Sequence, residues 1–338
     1  MAMTIYDISK KAGVSIATVS RVLNGSENVR PSTRKKVMDV IDKYDYTPNA
    51  FARGMGLHSL KTIGILCADS SDLFLAKAVY FLEQELQANG YESLLCCTGY
   101  NPDIKKNYLN LILSKKVDSI ILVGSHFIGF NEDENQYIKD VSTQVPIMLL
   151  NASFDHPNVY STLCDDYGTM FEAATEMIQS GITDILYLYD SKSYSGLKKL
   201  HGFCDAMKEH NIPGFEKLIH FYDGNIEHLN EVADFVARIA TKGTSFHGIM
   251  TSDDSLAIGS IKYAQKKGIR IPKELSVMGY NNSMLTNCCT PELTSVDNRL
   301  ETLTHQLVQT LLGVLAGEEM PKKSIFSGKI IKRGTTLF

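Results

Sequence analysis

The chain has 338 residues, of which 44% are hydrophobic and 21% charged, a composition typical of a water-soluble globular protein. This length exceeds one ordinary hydrophobic core and predicts two or three domains. The sequence contains no apolar run long enough to span a membrane and no secretory leader, so we expect a cytoplasmic protein without a membrane partner. The seven cysteines show no CxxC spacing, and we expect them to be reduced and buried.

The net charge of −4 is distributed unevenly along the chain. Residues 1–61 contain ten Lys or Arg and five Asp or Glu, a balance of +5, whereas the remaining residues sum to −9. A basic head on an acidic body is typical of a nucleic-acid-binding module joined to a domain that does not touch DNA. Counts this small also fit a chance scatter of surface charge.

The N-terminus is predicted to form two short amphipathic helices that meet at a tight corner. Ile5, Ile8 and Ala12 recur at helical spacing, and Gly13 interrupts that run. Ser15 has the side chain expected of an N-cap, so a second helix is predicted to begin directly after it.

The second helix, roughly residues 16–23, combines an apolar face with a small, polar and basic one. The apolar face contains Val19, Val22 and Leu23, and the opposite face contains Ala17, Ser20, Arg21 and Asn24. Asn24-Gly25 is a typical helix stop. Because such a face suits the major groove, where Arg can form bidentate bonds to guanine, the pattern predicts a helix-turn-helix. A plain helical hairpin is the alternative interpretation.

A third helix is predicted over residues 31–43, since Pro31 occupies a favoured first-turn position. Its apolar positions, which can pack across the first two helices, are Val37, Val40, Ile41 and Tyr44.

A short hinge helix is predicted over residues 49–57, after the head ends at Tyr46-Thr47-Pro48. Gly54 and Gly56 flank Met55, and each glycine costs a helix about 1 kcal/mol relative to Ala. A flexible linker is therefore the alternative for this segment.

From Thr62 onward, strands alternate with helices. Predicted strands cover residues 62–68, 91–97, 118–123, 145–150, 185–189, 248–251 and 275–280. Predicted helices cover residues 74–89, 102–115, 169–179, 197–210, 226–242 and 256–267. Two βα series of this kind build two parallel sheets with helices on both faces, an α/β architecture. A helix at 300–315 and a strand at 325–331 follow.

Polar residues follow several predicted strands, namely Asp69, Asn151, Asp253 and Asn281. Ligands of open α/β sheets bind beyond the carboxyl ends of the strands, so these residues indicate one cleft. Alternatively, Asp254 or Asp253 caps the next helix, and Asn281-Asn282 forms a turn.

The N-terminal run resembles the signature of a known family. Tyr-Asp-Ile-Ser-x-x-Ala-Gly-Val-Ser-x-x-Thr-Val-Ser-Arg-Val-Leu-Asn-Gly, residues 6–25, is similar to the start of the lac-repressor/galactose-repressor family of bacterial transcription regulators. The resemblance continues through residues 46–53 and the rest of the chain. It implies a three-helix head (1–47), a hinge helix and linker (48–61), and a two-lobed, periplasmic-binding-protein-like body (62–338). The implied lobes are 62–159 with 293–317, and 160–292 with 318–338.

The resemblance implies a homodimeric repressor of a near-palindromic, double-stranded operator. Recognition helices would enter the major groove, and hinge helices would place Met55 as a wedge in the minor groove. Arg30 stands where the family usually has a capping Ser, which removes a cap and adds a basic side chain. The implied DNA-binding residues are Thr4, Tyr6, Ser15, Ile16, Ala17, Thr18, Ser20, Arg21, Asn24, Asn28, Arg30, Tyr46, Asn49, Ala50, Arg53 and Met55.

The resemblance also implies a small-molecule effector site in the cleft between the lobes. Its implied residues are Asp69, Phe74, Asn151, Ser193, Ser195, Lys199, Asn225, Asp253 and Asn281. Five of them depart from the family pattern: Lys199 replaces Arg, Asp253 replaces Asn, Asn281 and Asn151 replace Asp, and Asn225 replaces an aromatic. We therefore expect a small hydrophilic effector, a modified sugar or polyol ahead of a nucleobase, rather than a common hexose.

Two other functions remain open at this point. Lys199 and Ala52-Arg53-Gly54 are similar to the catabolite control proteins, which answer to a phosphorylated carrier protein, so control by a protein partner is one alternative. A sugar-binding protein or enzyme built on the same body is the other. The sequence lacks Walker, HExxH, GxSxG and post-strand GxGxxG motifs, so we expect no enzyme activity, cofactor or metal.

Overall fold

The computed structural model describes residues 3–23, 26, 28–44, 46, 59–241 and 243–338. The predicted stop at Asn24-Gly25 and the predicted hinge helix at 49–57 lie outside the described residues. Within the described ranges, no helix is long and apolar enough to cross a membrane.

The head consists of α1 (Ile5–Ala12), α2 (Ile16–Leu23) and α3 (Pro31–Lys43), as predicted. Thr4 and Asp7 form a reciprocal capping box at the start of α1. Gly13 adopts a φ of 66°, which an L side chain rarely takes and which ends α1. The apolar core of the head contains Ile8, Val19, Val22, Val29, Val37, Ile41 and Tyr46.

The starts of α2 and α3 also agree with the sequence. The Ser15 Oγ accepts the backbone N–H of Thr18 at 3.1 Å, so Ser15 caps α2. Arg30 occupies the N-cap position of α3 without a side-chain cap, and Pro31 follows it.

The first lobe contains a six-stranded, fully parallel sheet in the order β11-β5-β4-β3-β1-β2. Its strands are β1 (Thr62–Cys67), β2 (Glu92–Cys97), β3 (Ser119–Val123), β4 (Ile147–Leu150), β5 (Val159–Cys164) and β11 (Lys323–Phe326). Its helices are α4 (Leu73–Ala88), α5 (Pro102–Ser114), α6 (Gln136–Ser142) and α11 (Leu300–Leu315). The central strands β3 and β4 are buried along their whole length, as helices on both faces require.

The second lobe contains a six-stranded sheet in the order β12-β10-β9-β8-β6-β7. Its strands are β6 (Ile185–Tyr189), β7 (Ile219–Phe221), β8 (Gly248–Thr251), β9 (Ser276–Tyr280), β10 (Thr294–Asp297) and β12 (Lys329–Ile331). Its helices are α7 (Asp166–Gln179), α8 (Tyr194–Glu209), α9 (Leu229–Thr241) and α10 (Asp254–Lys267). The edge strand β12 pairs antiparallel with β10, so this sheet is parallel except at one edge.

The sheet order corrects the expected boundaries between the lobes. β5 belongs to the first sheet, which extends that lobe beyond residue 159. β10 lies in the second sheet although residues 293–317 were expected in the first lobe, and β11 lies in the first although 318–338 was expected in the second. The predicted strand at 325–331 is therefore two strands in different sheets. Gly328 stands at this crossing, where a Cβ would lie 2.7 Å from Thr169 Cγ2.

Other differences concern short elements and thiols. β5, β7 and β10 were not predicted as strands, and the predicted helix at 226–242 begins three residues later, at Leu229. All seven cysteines are free, which agrees with the expected reduced state, but Cys97 and Cys288 are exposed rather than buried.

Candidate DNA-binding surface and inter-lobe cleft

The outer face of α2 has the chemistry that the sequence predicts. Val19 and Val22 are buried in the head, whereas Ile16, Ala17 and Arg21 are exposed. Thr18 and Ser20 are half-buried between the two faces, and the Thr18 Oγ1 lies 2.8 Å from the Ser15 Oγ. An exposed Arg beside small side chains can approach base edges closely, which is the geometry that direct readout in the major groove requires.

The other predicted DNA contacts lie in three settings. Thr4, Tyr6, Asn28 and Arg30 are exposed on the head. Tyr46 is instead only 8% exposed and packs in the core of the head, so its ring supports the fold rather than the DNA-facing surface. Asn24, Asn49, Ala50, Arg53 and Met55 lie outside the described residues.

The loop between α2 and α3 is anchored by a basic side chain. The Arg34 guanidinium donates to the carbonyl oxygen of Ser26 at 2.6 Å. Arg30, Lys35 and Lys36 are exposed around the start of α3. Basic side chains and the N-terminus of a helix both bind phosphate, and here the two lie on the same side of the head.

Between the lobes lies a small cavity, called here the inner cavity. Seven of the nine predicted effector residues line it: Phe74, Asn151, Ser193, Ser195, Lys199, Asp253 and Asn281. Asp69 and Asn225 line a wider outer cavity that shares Asp72, Asp190 and Asp253 with it. Asn225 is exposed, and its Oδ1 accepts the backbone N–H of Glu227 at 2.8 Å, so it lies at the mouth rather than in the inner cavity.

Asp253 and Asn281 are joined on one wall of the inner cavity. The Asn281 Nδ2 donates to Asp253 Oδ2 at 2.9 Å, and the Asn298 Nδ2 donates to Asn281 Oδ1 at the same distance. Asp253 also caps α10, since its Oδ1 accepts the backbone N–H of Ser255 at 2.7 Å. Capping and cavity lining are therefore combined in one carboxylate.

Asp254, the other residue considered as a cap, lies behind this wall. Its Oδ1 accepts from the Ser295 Oγ and its Oδ2 from the backbone N–H of Ser283, each at 2.6 Å. Burial, with repulsion from Asp253, raises the pKa of Asp254 to about 7. Asn281 and Asn282 both adopt positive φ, the left-handed backbone that the alternative interpretation of a turn required.

Lys199 forms the floor of the inner cavity. Its Nζ donates to the Ser252 carbonyl oxygen at 3.0 Å and lies 3.9 Å from the centroid of the Tyr280 ring. The Tyr280 hydroxyl donates to the buried Asp166 at 2.7 Å, and the Ser195 Oγ donates to the other oxygen of that carboxylate at 2.5 Å. The lysine is thus held by a buried network rather than extended into solvent.

Asn151 occupies the opposite wall with an unsatisfied acceptor. The residue is 7% exposed and has a φ of 61°, and its Oδ1 is buried without a hydrogen-bond partner. Close by, the Ser125 Oγ of the first lobe donates to the Ser193 Oγ of the second at 2.9 Å. Side chains of both lobes therefore meet at this cavity.

The surroundings of the inner cavity shift the pKa values of several of its titratable side chains. Burial, followed by repulsion from Asp253 across the cleft, raises the pKa of Asp72. Burial and the proximity of Asp190 likewise raise the pKa of Asp253. Burial and the nearby Lys105 lower the pKa of His126 to about 4, so this imidazole is neutral at neutral pH.

Sequence reasoning missed six polar residues of the inner cavity: Asp72, Ser125, His126, Asp190, Ser191 and Ser252. Asp190 directly follows β6, so the rule that selected Asn151 would also have selected it. Asp72 is the N-cap of α4, where a capping role explains an Asp without any ligand. Within the described ranges, no group of three or more His, Cys, Asp or Glu could hold a metal ion.

Comparison with known proteins identifies the family. The sequence model "Bacterial regulatory proteins, lacI family" matches residues 4–49, and "Periplasmic binding protein-like domain" matches residues 174–336. A relative from Lachnoclostridium phytofermentans, named an HTH-type transcriptional regulator, is 50% identical over 99% of this chain and 100% of its own length. The chain belongs to the LacI family of bacterial transcription regulators. This confirms the resemblance seen in the sequence.

Other transcription regulators are similar to this chain in sequence or in fold. Catabolite control protein A of Priestia megaterium is 33% identical over 88% of this chain and 87% of its own length. A lac repressor dimer bound to operator and the anti-inducer ONPF superimposes with a TM-score of 0.88 over 100% of both chains, at 20% identity. A CelR–cellobiose complex gives a TM-score of 0.71, also at 20% identity, over 98% of this chain and 99% of that one. The relatives named here are regulators rather than enzymes, and the two structures confirm the fold.

Proposed function

We propose that this LacI-family regulator is a repressor that binds a near-palindromic, double-stranded operator as a homodimer. A small, polar, sugar-like effector in the inner cavity would change its operator affinity. The observation that carries this proposal is the inner cavity itself, where polar side chains of both lobes converge around the unpaired Asn151 Oδ1. A ligand that bonds to both lobes changes their relative placement, and the paired hinge segments would then be spaced differently on DNA.

Exposed apolar side chains support the homodimer. Leu73, Tyr80 and Met284 are 43, 51 and 69% exposed and line one groove of the body. The edge strand β2 also exposes Leu94 and Leu95. Clustered exposed apolar side chains mark interaction sites, and a two-fold dimer presents two recognition helices to two half-sites.

Control by a protein partner is the second candidate, favoured by the 33% identity to catabolite control protein A. Lys199, one of the two features that suggested it, is only 7% exposed and bonds to Ser252 inside the cleft. A residue in this position cannot contact a docked protein, so Lys199 supports the small-molecule effector instead.

A thermal-shift panel of neutral sugars, sugar phosphates, nucleosides and amino acids tests the proposal. A ligand at a hundred times its Kd stabilises the body by about 2.7 kcal/mol, which raises the Tm visibly. Lys199→Met keeps an apolar stem over Tyr280 but removes the charge and its hydrogen bond, so the shift should be lost. Lys198→Met, at the exposed neighbouring position, is the matched control and should retain it.

Sedimentation of the same protein should give twice the 37.5 kDa mass of the chain. A panel without any shift, together with operator binding that responds only to a phosphorylated carrier protein, would contradict the effector proposal. A ligand shift that Lys199→Met leaves unchanged would place the effector elsewhere.

A further inference from the structure

Most hydroxyl donors of the inner cavity already bond within the protein. Five lining side chains donate within the protein: Ser125 and Ser191 to Ser193, Ser195 to Asp166, Ser252 to Asp190, and Asn281 to Asp253. The Lys199 Nζ likewise donates to the Ser252 carbonyl. The oxygens that these bonds do not occupy are open to donors of a ligand, beside the remaining N–H groups of the Lys199 ammonium.

Three carboxylates contribute most of those oxygens. Asp72 projects from the first lobe, and Asp190 and Asp253 from the second. An ionised carboxylate only accepts hydrogen bonds, and its two oxygens can accept about four between them. The cap of α4 and the Ser252 hydroxyl occupy single oxygens of Asp72 and Asp190, whereas each oxygen of Asp253 already accepts one bond, from Ser255 and from Asn281.

Asn151 provides an independent observation that points to a ligand. Its side-chain oxygen is buried without a partner in the wall of the same cavity, and the residue is more than nine-tenths buried. A buried acceptor without a partner destabilises the folded protein, and a donor supplied by a ligand would remove that cost.

The charge of the cavity lining also favours a ligand without negative charge. Among the described residues, Lys199 is the only lysine or arginine that lines the inner cavity, against three carboxylates. His126 also lines it, but as a neutral imidazole at neutral pH. A phosphate or carboxylate placed here would meet a net negative surface.

We infer that the inner cavity takes a hydrogen-bond-donating polyol or amino sugar without negative charge, and rejects phosphorylated or carboxylated sugars. This inference rests on the proposed function and names the chemical class of its effector. Donors of the ligand would bridge Asn151 and Asp72 of the first lobe to Asp190 and Asp253 of the second. The ligand would thereby offset the repulsion between carboxylates that face each other across the cleft.

Three sugars in three charge states test the inference on the full-length protein by thermal shift and calorimetry. The neutral probes are glucose, galactose and cellobiose. Their amino counterparts are glucosamine, galactosamine and the β-1,4-linked glucosamine dimer, and their anionic counterparts are glucose 6-phosphate, galactose 6-phosphate and cellobionate. Within each series that binds, we expect the anionic form to bind at least tenfold more weakly than the neutral form. The amino form should bind at least as tightly as the neutral one.

Asp190→Asn keeps the oxygen that accepts from Ser252 but removes one negative charge. It should reduce the ratio of the Kd of the anionic probe to the Kd of the neutral probe by about tenfold, the effect expected from one buried charge contact. Asp103→Asn, an equal charge change at an exposed position on α5, is the control and should leave this ratio unchanged.

The outcomes separate the two proposals. An anionic probe that binds as tightly as its neutral counterpart, or an amino probe that binds more weakly than the neutral one, would overturn the inference while leaving an effector site in place. No binding by any of the nine probes, together with no shift by any sugar of the wider thermal-shift panel, would contradict the sugar-responsive function itself, and the inference with it.

Discussion

Arg21 is the residue in the head whose chemistry bears most directly on sequence recognition. It is exposed on the outer face of α2, beside Ala17 and opposite the buried Val22. If it bonds to a guanine, Arg21→Ala should weaken operator binding by about 1–3 kcal/mol and relax the preference at one base pair. Fluorescence anisotropy with a selected operator and with single-base variants measures both effects.

Arg21→Lys is the matched variant, because it keeps the charge but loses the fork that makes two parallel hydrogen bonds. If Arg21 reads a base, Arg21→Lys should lose the preference at that base pair just as Arg21→Ala does. Equal weakening of Arg21→Ala on operator and on random DNA, with full activity in Arg21→Lys, would make Arg21 a phosphate contact.

His126 in the inner cavity gives stability a predictable dependence on pH. Its folded pKa is lowered to about 4 from an ordinary value near 6.5. Between these values the unfolded chain binds a proton that the folded chain excludes, so stability falls as the pH falls through this window. From pH 7 to pH 5 the loss should be about 2 kcal/mol.

Urea unfolding of wild type and His126→Gln at several pH values isolates this effect. The raised pKa values of Asp72 and Asp253 act in the opposite direction, but they are present in both proteins and cancel in the difference. His201→Gln, at an exposed position on α8, is the control. If the unfolding free energies of wild type and His126→Gln change equally with pH, then the His126 imidazole takes up a proton as readily in the folded protein as in the unfolded chain.

At the level of elements, sequence periodicity predicts most of the fold. The long amphipathic or buried segments, such as α4, α10 and α11, were predicted within a few residues, because many apolar positions define each one. The three-residue β7 and the four-residue β10 contain too few residues to show a period. β11 and β12 lie at the edges of two different sheets. A local sequence pattern does not show which strand lies at the edge of each sheet, so it could not predict this division.

In the cleft as well, residues placed by local sequence were predictable, and residues brought together by the fold were not. Residues after a buried strand were predictable from position alone, as Asn151, Asp253 and Asn281 show. Asp72 was not, because a helix cap and a ligand contact use the same residue type at the same place. The Ser125–Ser193 contact joins residues 68 positions apart in different lobes, and only the assembled fold reveals it.

The hinge segment at 49–57 lies outside the described residues and remains a prediction. If it becomes helical on DNA, Gly54→Ala should tighten operator binding by up to roughly 1 kcal/mol, since Ala favours the helix. Operator titrations of wild type and Gly54→Ala at one salt concentration provide the measurement. Unchanged or weaker binding would indicate a linker, or a glycine that must approach DNA closely.

At the level of the whole molecule, the two lobes are joined by several chain crossings. The chain passes between the lobes after β5, between β10 and α11, and between β11 and β12. A relative movement of the lobes is therefore shared by three segments rather than one. Because Ser125, Asn151 and Lys199 lie where the lobes meet, a ligand in the inner cavity can bias that movement.

The most direct test of this account is operator affinity with and without the neutral or amino sugar that gives the largest thermal shift. Anisotropy titrations of wild type should differ between free and saturated protein by about 5- to 150-fold, the usual range of allosteric coupling. Lys199→Met should show the same affinity in both conditions. Contradiction would be a wild-type protein, saturated with that sugar by calorimetry, whose operator affinity equals that of the free protein.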